Sequence, residues 1–337
     1  MTSSPPSATY LFLSGFAFIF LIIVALCPPI YASNIQGPFQ AVSGPGGMDY
    51  NHSQVISSTY GSGALQYWIF EPGSPSPESA PVIVFNHGWS ATNPLFYRPW
   101  IDHLVKKGNI VIYPRYQSSI LDSSDNFTQN AIYSLKDAFI QLENGEHVRP
   151  QRENLALVGH SAGGLISINM AARASQEGIP QPKAIFCVQP GLSRSENRTM
   201  GPLLEDLSKI PSSTLLLTLA GDRDDIVGSF DSEKIIKETT SIPLENKNYV
   251  IMVSDFHGNP PLIADHLSPL AILNCGEYRL MVNALDYYGT WKLFDGLYEA
   301  AFYGINREYA LGNTTQQRFM GLWSDGTPVK ELKVVDY

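Results

Sequence analysis

The segment Gly159-His160-Ser161-Ala162-Gly163 stands where an apolar run, Leu155–Val158, gives way to the amphipathic stretch LISINMAARA. A serine hydroxyl is a weak nucleophile unless a base takes its proton and donors hold the oxyanion that its attack creates. The bare G-x-S-x-G pattern says little. A buried strand entering it and a helix leaving it say more, because a sharp strand-to-helix turn lifts the serine Oγ out of the sheet. The glycines relieve clashes at such a turn, and Gly164 lets the helix pack closely on the neighbouring strands. The helix N-terminus behind Ser161 favours developing negative charge. The plain alternative is a helix-capping serine at a tight crossing.

Catalysis would require partners elsewhere in the chain. The run PVIVFNHGWS ends a second apolar segment in His87-Gly88-Trp89. Gly88 would let the backbone turn so that the Trp89 N–H meets the reacting oxygen, and the Ala162 N–H, just after the nucleophile, would be the second donor. The His87 imidazole reads as a structural group at a strand end. An acid can come from Gly221-Asp222-Arg223-Asp224-Asp225-Ile226-Val227. Asp224 is favoured there, because the following apolar pair can anchor the loop; Asp222 and Asp225 are rival carboxylates. The base can come from YVIMVSDFHGNPPLIADHLSP, which offers His257 and His266. His257 is closer to the end of its strand, and that proximity tilts the reading towards it without excluding His266.

These residues need a scaffold that brings strand ends together. Apolar β-rich runs alternate with amphipathic stretches from residue 36 onward, the pattern of a mostly parallel sheet covered by helices on both faces. Strands are expected at Gln54–Ser58, Leu65–Glu71, Pro81–Asn86, Asn109–Tyr113, Asn154–Val158, Lys183–Val188, Ser213–Leu219 and Asn248–Val253. Several are apolar nearly throughout, as strands buried on both faces must be. Helices are expected at Phe96–Lys107, Asn126–Leu142, Ser161–Ala174, Ser232–Glu238 and Tyr278–Tyr303. With short linkers and no internal repeat, residues 36–337 read as a single α/β domain.

At these motifs the chain resembles the α/β-hydrolase superfamily, from about Leu65 to Tyr303, and within it the dienelactone hydrolase, chlorophyllase and cutinase-like polyester hydrolase group. The shared features are a strand ending in an HG oxyanion turn, a GHSxGG elbow and a G-x-x-D-x-x-V acid loop. The resemblance implies an eight-stranded α/β-hydrolase sheet and a serine esterase, with Ser161 as nucleophile, Asp224 as acid and Trp89 and Ala162 as oxyanion donors. His266-Leu267-Ser268-Pro269 is similar to the HxxP that follows the base in cutinase-like relatives. The His loop, Pro-rich and holding two histidines, departs from the group, as does the tail FMGLWSDGTPVKEL, which reads as a C-terminal turn or hairpin. The segment between Pro190 and Ile210 is too short for a large lid domain.

Composition bounds the partners. A formal net charge of −9 argues against a nucleic-acid surface, which needs clustered cations. No H-E-x-x-H or Cys/His ligand spacing suggests a metal and no dinucleotide fingerprint is present, so no cofactor is expected. The expected partner is a small-molecule ester. Tyr10–Cys27 is apolar and uncharged, followed by Pro28-Pro29 and Ala32-Ser33. It reads as a secretory signal over residues 1–32, or as a membrane anchor if uncleaved. The expected location is thus secreted or extracytoplasmic, with membrane contact only through that segment. Cys187 and Cys275 permit one disulfide, with free buried thiols as the alternative. Sequons at Asn51, Asn126, Asn197 and Asn313 agree with export. Trp89, Phe96, Tyr97 and Trp100 read equally as aromatic cleft walls or as core. Two other classes stay open beside the esterase, lipase-like acyl hydrolases included: a secreted serine peptidase and a noncatalytic hydrolase-fold binding protein.

Overall fold

The structure, a computed structural model, describes residues 35–192, 201–272 and 276–336. The segment read as a signal or anchor, Asn197 and Cys275 lie outside the described residues, as do residues 193–200 of the segment too short for a lid. Among the described residues no helix is long and apolar enough to cross a membrane.

One nine-stranded sheet organises the chain, in the order β1-β2-β4-β3-β5-β6-β7-β8-β9. Its strands are β1 (Gln54–Tyr60), β2 (Tyr67–Gly73), β3 (Ser79–Asn86), β4 (Ile110–Pro114), β5 (Arg149–His160), β6 (Ala184–Val188), β7 (Leu215–Gly221), β8 (Lys247–Met252) and β9 (Lys333–Val335). The pairs β1/β2, β2/β4 and β8/β9 are antiparallel, and β4/β3/β5/β6/β7/β8 are parallel throughout. This is the α/β-hydrolase fold.

The period of two along a strand explains the two cores. Val82, Val84, Leu155, Leu157, Ile185, Cys187 and Leu216 point to one face. There they meet α2 (Phe127–Asn144), α3 (Ala162–Glu177) and α4 (Phe230–Glu238). The residues between them, Ile83, Phe85, Ala156, Val158, Phe186 and Leu217, point to the other face. That face packs on α1 (Arg98–Lys106) and α5 (Trp291–Tyr303). Strand stretches lined by helices on both sides must be nearly apolar throughout, and Val82–Phe85, Leu155–Val158 and Ala184–Val188 are. Cys187 is a free thiol in this core, donating to the Gly164 carbonyl at 3.3 Å.

Two features depart from the sequence expectation. The helix read from Tyr278 begins later. Asn283 Oδ1 accepts the Leu285 N–H at 2.8 Å while Asp286 Oδ2 accepts the Asn283 N–H at 2.8 Å, a reciprocal capping box. A π-helical turn, Leu285–Thr290, follows before α5. At Gly289 a Cβ would lie 2.8 Å from Met252 Sδ. The sheet also has a strand more than the eight expected. β9 is only Lys333–Val335, too short for alternation to show, and it forms by pairing with the open edge of β8.

The tail before β9 (residues 319–332) holds the turn foreseen for it: Leu322 bridges Pro328, and the Trp323 N–H donates to the Thr327 carbonyl at 2.8 Å. It also does something not foreseen. Buried Trp323 donates Nε1–H to Asp255 Oδ2 at 3.1 Å, and the Lys330 N–H donates to the same oxygen at 3.0 Å. Asp255 in turn bridges Leu262. The tail thereby clamps the base of the loop that carries both candidate histidines.

Phe186 lies between Trp100 and Phe294, with ring centroids 6.5 and 6.1 Å away. Phe186→Ala is expected to lower unfolding stability by about 3–5 kcal/mol, read as a fall in the urea midpoint with an unchanged slope.

Candidate active site

Ser161 follows β5 with φ 57° and ψ −123°, a conformation that costs a non-glycine residue on the order of 1–3 kcal/mol. Its neighbours hold it there. The Ser161 N–H donates to the Val188 carbonyl at 3.0 Å, and its carbonyl accepts from Gly164 and Gly191 at 3.0 and 3.2 Å. The flanking glycines are required by space. A Cβ on Gly159 would lie 2.0 Å from the Gly163 carbonyl oxygen, and one on Gly163 would lie 2.1 Å from that of Asn86. Gly164 packs against Pro190 in the same way, at 2.9 Å.

His266 and Asp224 meet this serine. Ser161 Oγ is 3.0 Å from His266 Nε2, and His266 Nδ1 is 2.8 Å from Asp224 Oδ2. The Gly191 carbonyl, 3.2 Å from Oγ, is a second acceptor for the single hydroxyl proton. Asp224 is buried, and its other oxygen accepts the N–H groups of Ile226 and Val227 at 3.0 and 2.9 Å. Burial alone would raise its pKa. The His266 hydrogen bond and charge, with the two N–H groups, outweigh burial and hold the carboxyl below its usual range. Only half of the expected apolar anchor is buried: Val227 is, while Ile226 is exposed and contributes its backbone N–H.

The structure takes His257 away from Ser161. Its Nε2 is 2.8 Å from Asp325 Oδ2, at the partly exposed turn of the C-terminal tail. Proximity to the end of β8 misled because the loop folds back through the Asp255–Leu262 bridge, so the nearer histidine faces the tail and the farther one returns to the sheet. Asp222 is not idle: Oδ1 accepts from the Ser254 N–H and Oγ–H at 3.0 and 2.5 Å, and that Oγ accepts the Ala264 N–H at 2.9 Å. It braces the loop that ends at His266.

The turn after β3 presents one free donor. The Gly88 N–H donates to Tyr97 Oη at 3.0 Å, the Ser90 N–H to Gln117 Oε1 at 2.9 Å, and the Ala91 N–H to the Gly88 carbonyl at 3.0 Å. Among the described residues, the Trp89 N–H has no acceptor. The Ala162 N–H opens α3 and so has no intrahelical partner. A Cβ on Gly88 would lie 3.4 Å from Ser161 Cβ, which sets this turn against the serine. Gly88 thus serves close approach rather than bending; the positive φ of the turn, 67°, belongs to Ser90. His87 is structural: fully buried, stacked on Tyr116 with centroids 4.0 Å apart, its ring nitrogens 2.6 and 2.8 Å from the Gly88 and Arg115 carbonyls.

The aromatic group divides. Tyr97 and Trp100 belong to the core, whereas Trp89 and Phe96 are only partly buried. The Trp89 indole packs on Phe127 and donates to the Ile120 carbonyl at 3.3 Å. Two residues near the site were given no role in the sequence, Gln117 and His160, and Tyr97 was read only as cleft wall or core, without its hydroxyl contacts. Gln117 lies outside any motif. His160 stood in plain view, as the variable position of G-x-S-x-G.

A chlorophyllase family model matches residues 45–214, half of the chain. The chain belongs to the chlorophyllase family. The match takes in the oxyanion-type turn and the Ser161 elbow and stops before Asp224 and His266. Family membership makes the protein, broadly, a hydrolase that acts on esters. Among solved structures, a mutant of the esterase rPPE superimposes with a TM-score of 0.47 at 16% identity, over 61% of this chain and 75% of that one. No curated protein matches the chain.

Two buried histidines give this chlorophyllase-family chain a pH signature. Burial pushes His87 down to about 4, against the two carbonyls that favour its proton, and pushes His160 down to about 3, with the nearby His266 adding to the shift. Below a pH of about 6.5 the unfolded chain takes protons that the folded chain refuses, so stability falls as pH drops through the window from there to about 4 for His87 and about 3 for His160. The urea midpoint is expected to be lower at acid than at neutral pH. His160→Asn removes one of the two titrating groups and should make that decline shallower; an equal decline would show that the ring is protonated in the folded state.

Proposed function

We propose that the protein is a serine esterase that cleaves carboxylic esters through an acyl-Ser161 intermediate. The observation that supports this most directly is the continuous line of short hydrogen bonds from Ser161 Oγ through His266 to Asp224. In the proposed cycle His266 Nε2 takes the hydroxyl proton as Oγ attacks the ester carbonyl. Asp224 holds the ring with its proton on Nδ1 and favours the imidazolium that forms. The Trp89 and Ala162 N–H groups receive the oxyanion. His266 then protonates the departing alcohol, and a water activated by the same ring releases the acid and regenerates Ser161.

The substrate class that fits is a small-molecule carboxylic ester, and export through residues 1–32 would place the enzyme outside the cytoplasm. A noncatalytic binding protein would not need a strained serine aligned with a base. A peptidase would call for a further domain that restricts access, and the described residues hold none.

A panel of nitrophenyl esters from acetate to palmitate, with fluorophosphonate labelling, tests the reading. Ser161→Ala and His266→Ala are expected to lose turnover by several orders of magnitude, and Asp224→Asn by about 10⁴-fold through loss of tautomer control. His257→Ala should keep most of the activity. Residual turnover above a tenth of wild type in Ser161→Ala, or a loss in His257→Ala as deep as in His266→Ala, would overturn the assignment.

A further inference from the structure

Tyr97 and His160 lie beside the proposed machinery without belonging to it. Tyr97 closes the short 3-10 turn Pro94–Tyr97, and its ring packs on Phe85 and Tyr113 at 5.0 and 6.3 Å. Its hydroxyl is buried and makes two contacts: 3.0 Å to the Gly88 N–H and 2.8 Å to His160 Nδ1. An amide N–H can only donate, so Tyr97 Oη accepts there, and His160 Nδ1 is the acceptor the structure offers for the Tyr97 proton, which assigns the second bond as Oη–H to Nδ1. That leaves the His160 proton on Nε2. The Nε2 atom is buried without a partner at bonding geometry, and so is Gln189 Oε1. The Gln189 amide acts on the His160 ring, and its Nε2–H donates to the Asp265 carbonyl at 2.7 Å, next to His266. The His160 and His266 rings themselves lie 4.8 Å apart, tilted by 41°.

The hydrogen bonds from Gly88 through Tyr97 to His160, with the His160 ring beside that of His266, link the two halves of the site. At one end is the amide that precedes Trp89; at the other is the loop that carries His266. Resting on the esterase reading, we propose that Tyr97 and His160 are positioning residues whose hydrogen bond sets the Gly88–Trp89 peptide over Ser161 and registers it against the His266 ring. The Tyr97 hydroxyl does this by fixing Gly88, so that the next amide along the turn remains unpaired and directed at the reacting oxygen. The His160 ring does it by giving that hydroxyl its only acceptor, while presenting a neutral face to His266. A neutral neighbour matters, because His266 becomes cationic in the proposed cycle and a second cation at this distance would oppose the proton transfer.

Tyr97→Phe tests this, since it retains the packed ring and deletes only the hydroxyl. The expected result is a kcat on the order of ten- to a hundredfold lower at near-constant KM, the cost of a displaced oxyanion donor. Hydrogen exchange of the 86–91 segment should quicken, because the Gly88 N–H loses its acceptor. His160→Leu should reproduce the loss, and combining it with Tyr97→Phe should add little further, because both remove one connection. His160→Asn, which keeps an acceptor near Nδ1, should recover most of the rate. In wild type, ¹⁵N spectra should show His160 Nδ1 unprotonated.

Turnover in Tyr97→Phe within twofold of wild type would overturn the proposal, as would a loss that rises in KM as much as it falls in kcat. So would His160→Asn being as damaged as His160→Leu, or a protonated Nδ1 in the wild-type spectrum. If the esterase reading itself fails, wild type will neither hydrolyse the ester panel nor take the fluorophosphonate. Exchange at the 86–91 segment and the His160 tautomer then still decide whether the connection exists.

Discussion

No side chain fits between the first turn of α3 and the end of β3. The Asn86 carbonyl comes so near Gly163 that a Cβ there would overlap it at 2.1 Å, and Gly159 faces Gly163 just as closely. Every other feature of the site depends on this contact between backbones. It draws the helix start against the turn after β3, so that the Ala162 N–H and the Trp89 N–H come from two different elements yet lie beside one serine. It also forces the chain through the unfavourable conformation at Ser161. That local cost is carried by the two apolar cores, which fix the ends of β3, β5 and β6 independently of the turn.

Around the serine the polar groups are buried and mostly uncharged. His87 and His160 stay neutral because burial penalises the imidazolium, and the hydroxyls of Tyr97, Tyr113 and Tyr116 are pushed up by burial and keep their protons. Asp224 is the contrast, held ionised by His266 and two backbone N–H groups. A charge surrounded by fixed neutral dipoles in a dry environment acts more strongly on its neighbour than one exposed to water. The arrangement concentrates the field of one carboxylate on one imidazole.

Much of this was legible in the sequence because it rests on local patterns. The buried strands announced themselves as apolar runs, and the turns that carry Ser161, Asp224, Trp89 and Ala162 were read as turns that follow strands. The elements that escaped are those whose conformation is imposed from a distance. β9 exists because β8 offers an unpaired edge. The choice between His257 and His266 turned on the Asp255–Leu262 bridge and on Trp323, whose partner lies 68 residues away in the chain. Asn283 and Asp286, by contrast, spelled out a capping box that a closer reading of the long helix would have caught.

The order of parts along the chain has a consequence for biogenesis. Ser161 and the turn after β3 leave the ribosome early, whereas His266 lies 105 residues beyond the serine, and the Trp323 clamp on its loop comes later still. Chains acquire structure from the N-terminus during synthesis. A nascent chain can therefore assemble the β3–β6 core and its strained serine while the histidine that contacts Oγ is still unmade. The contact between Ser161 Oγ and His266 forms only once the later strands, and the tail that clamps the His266 loop, have been made.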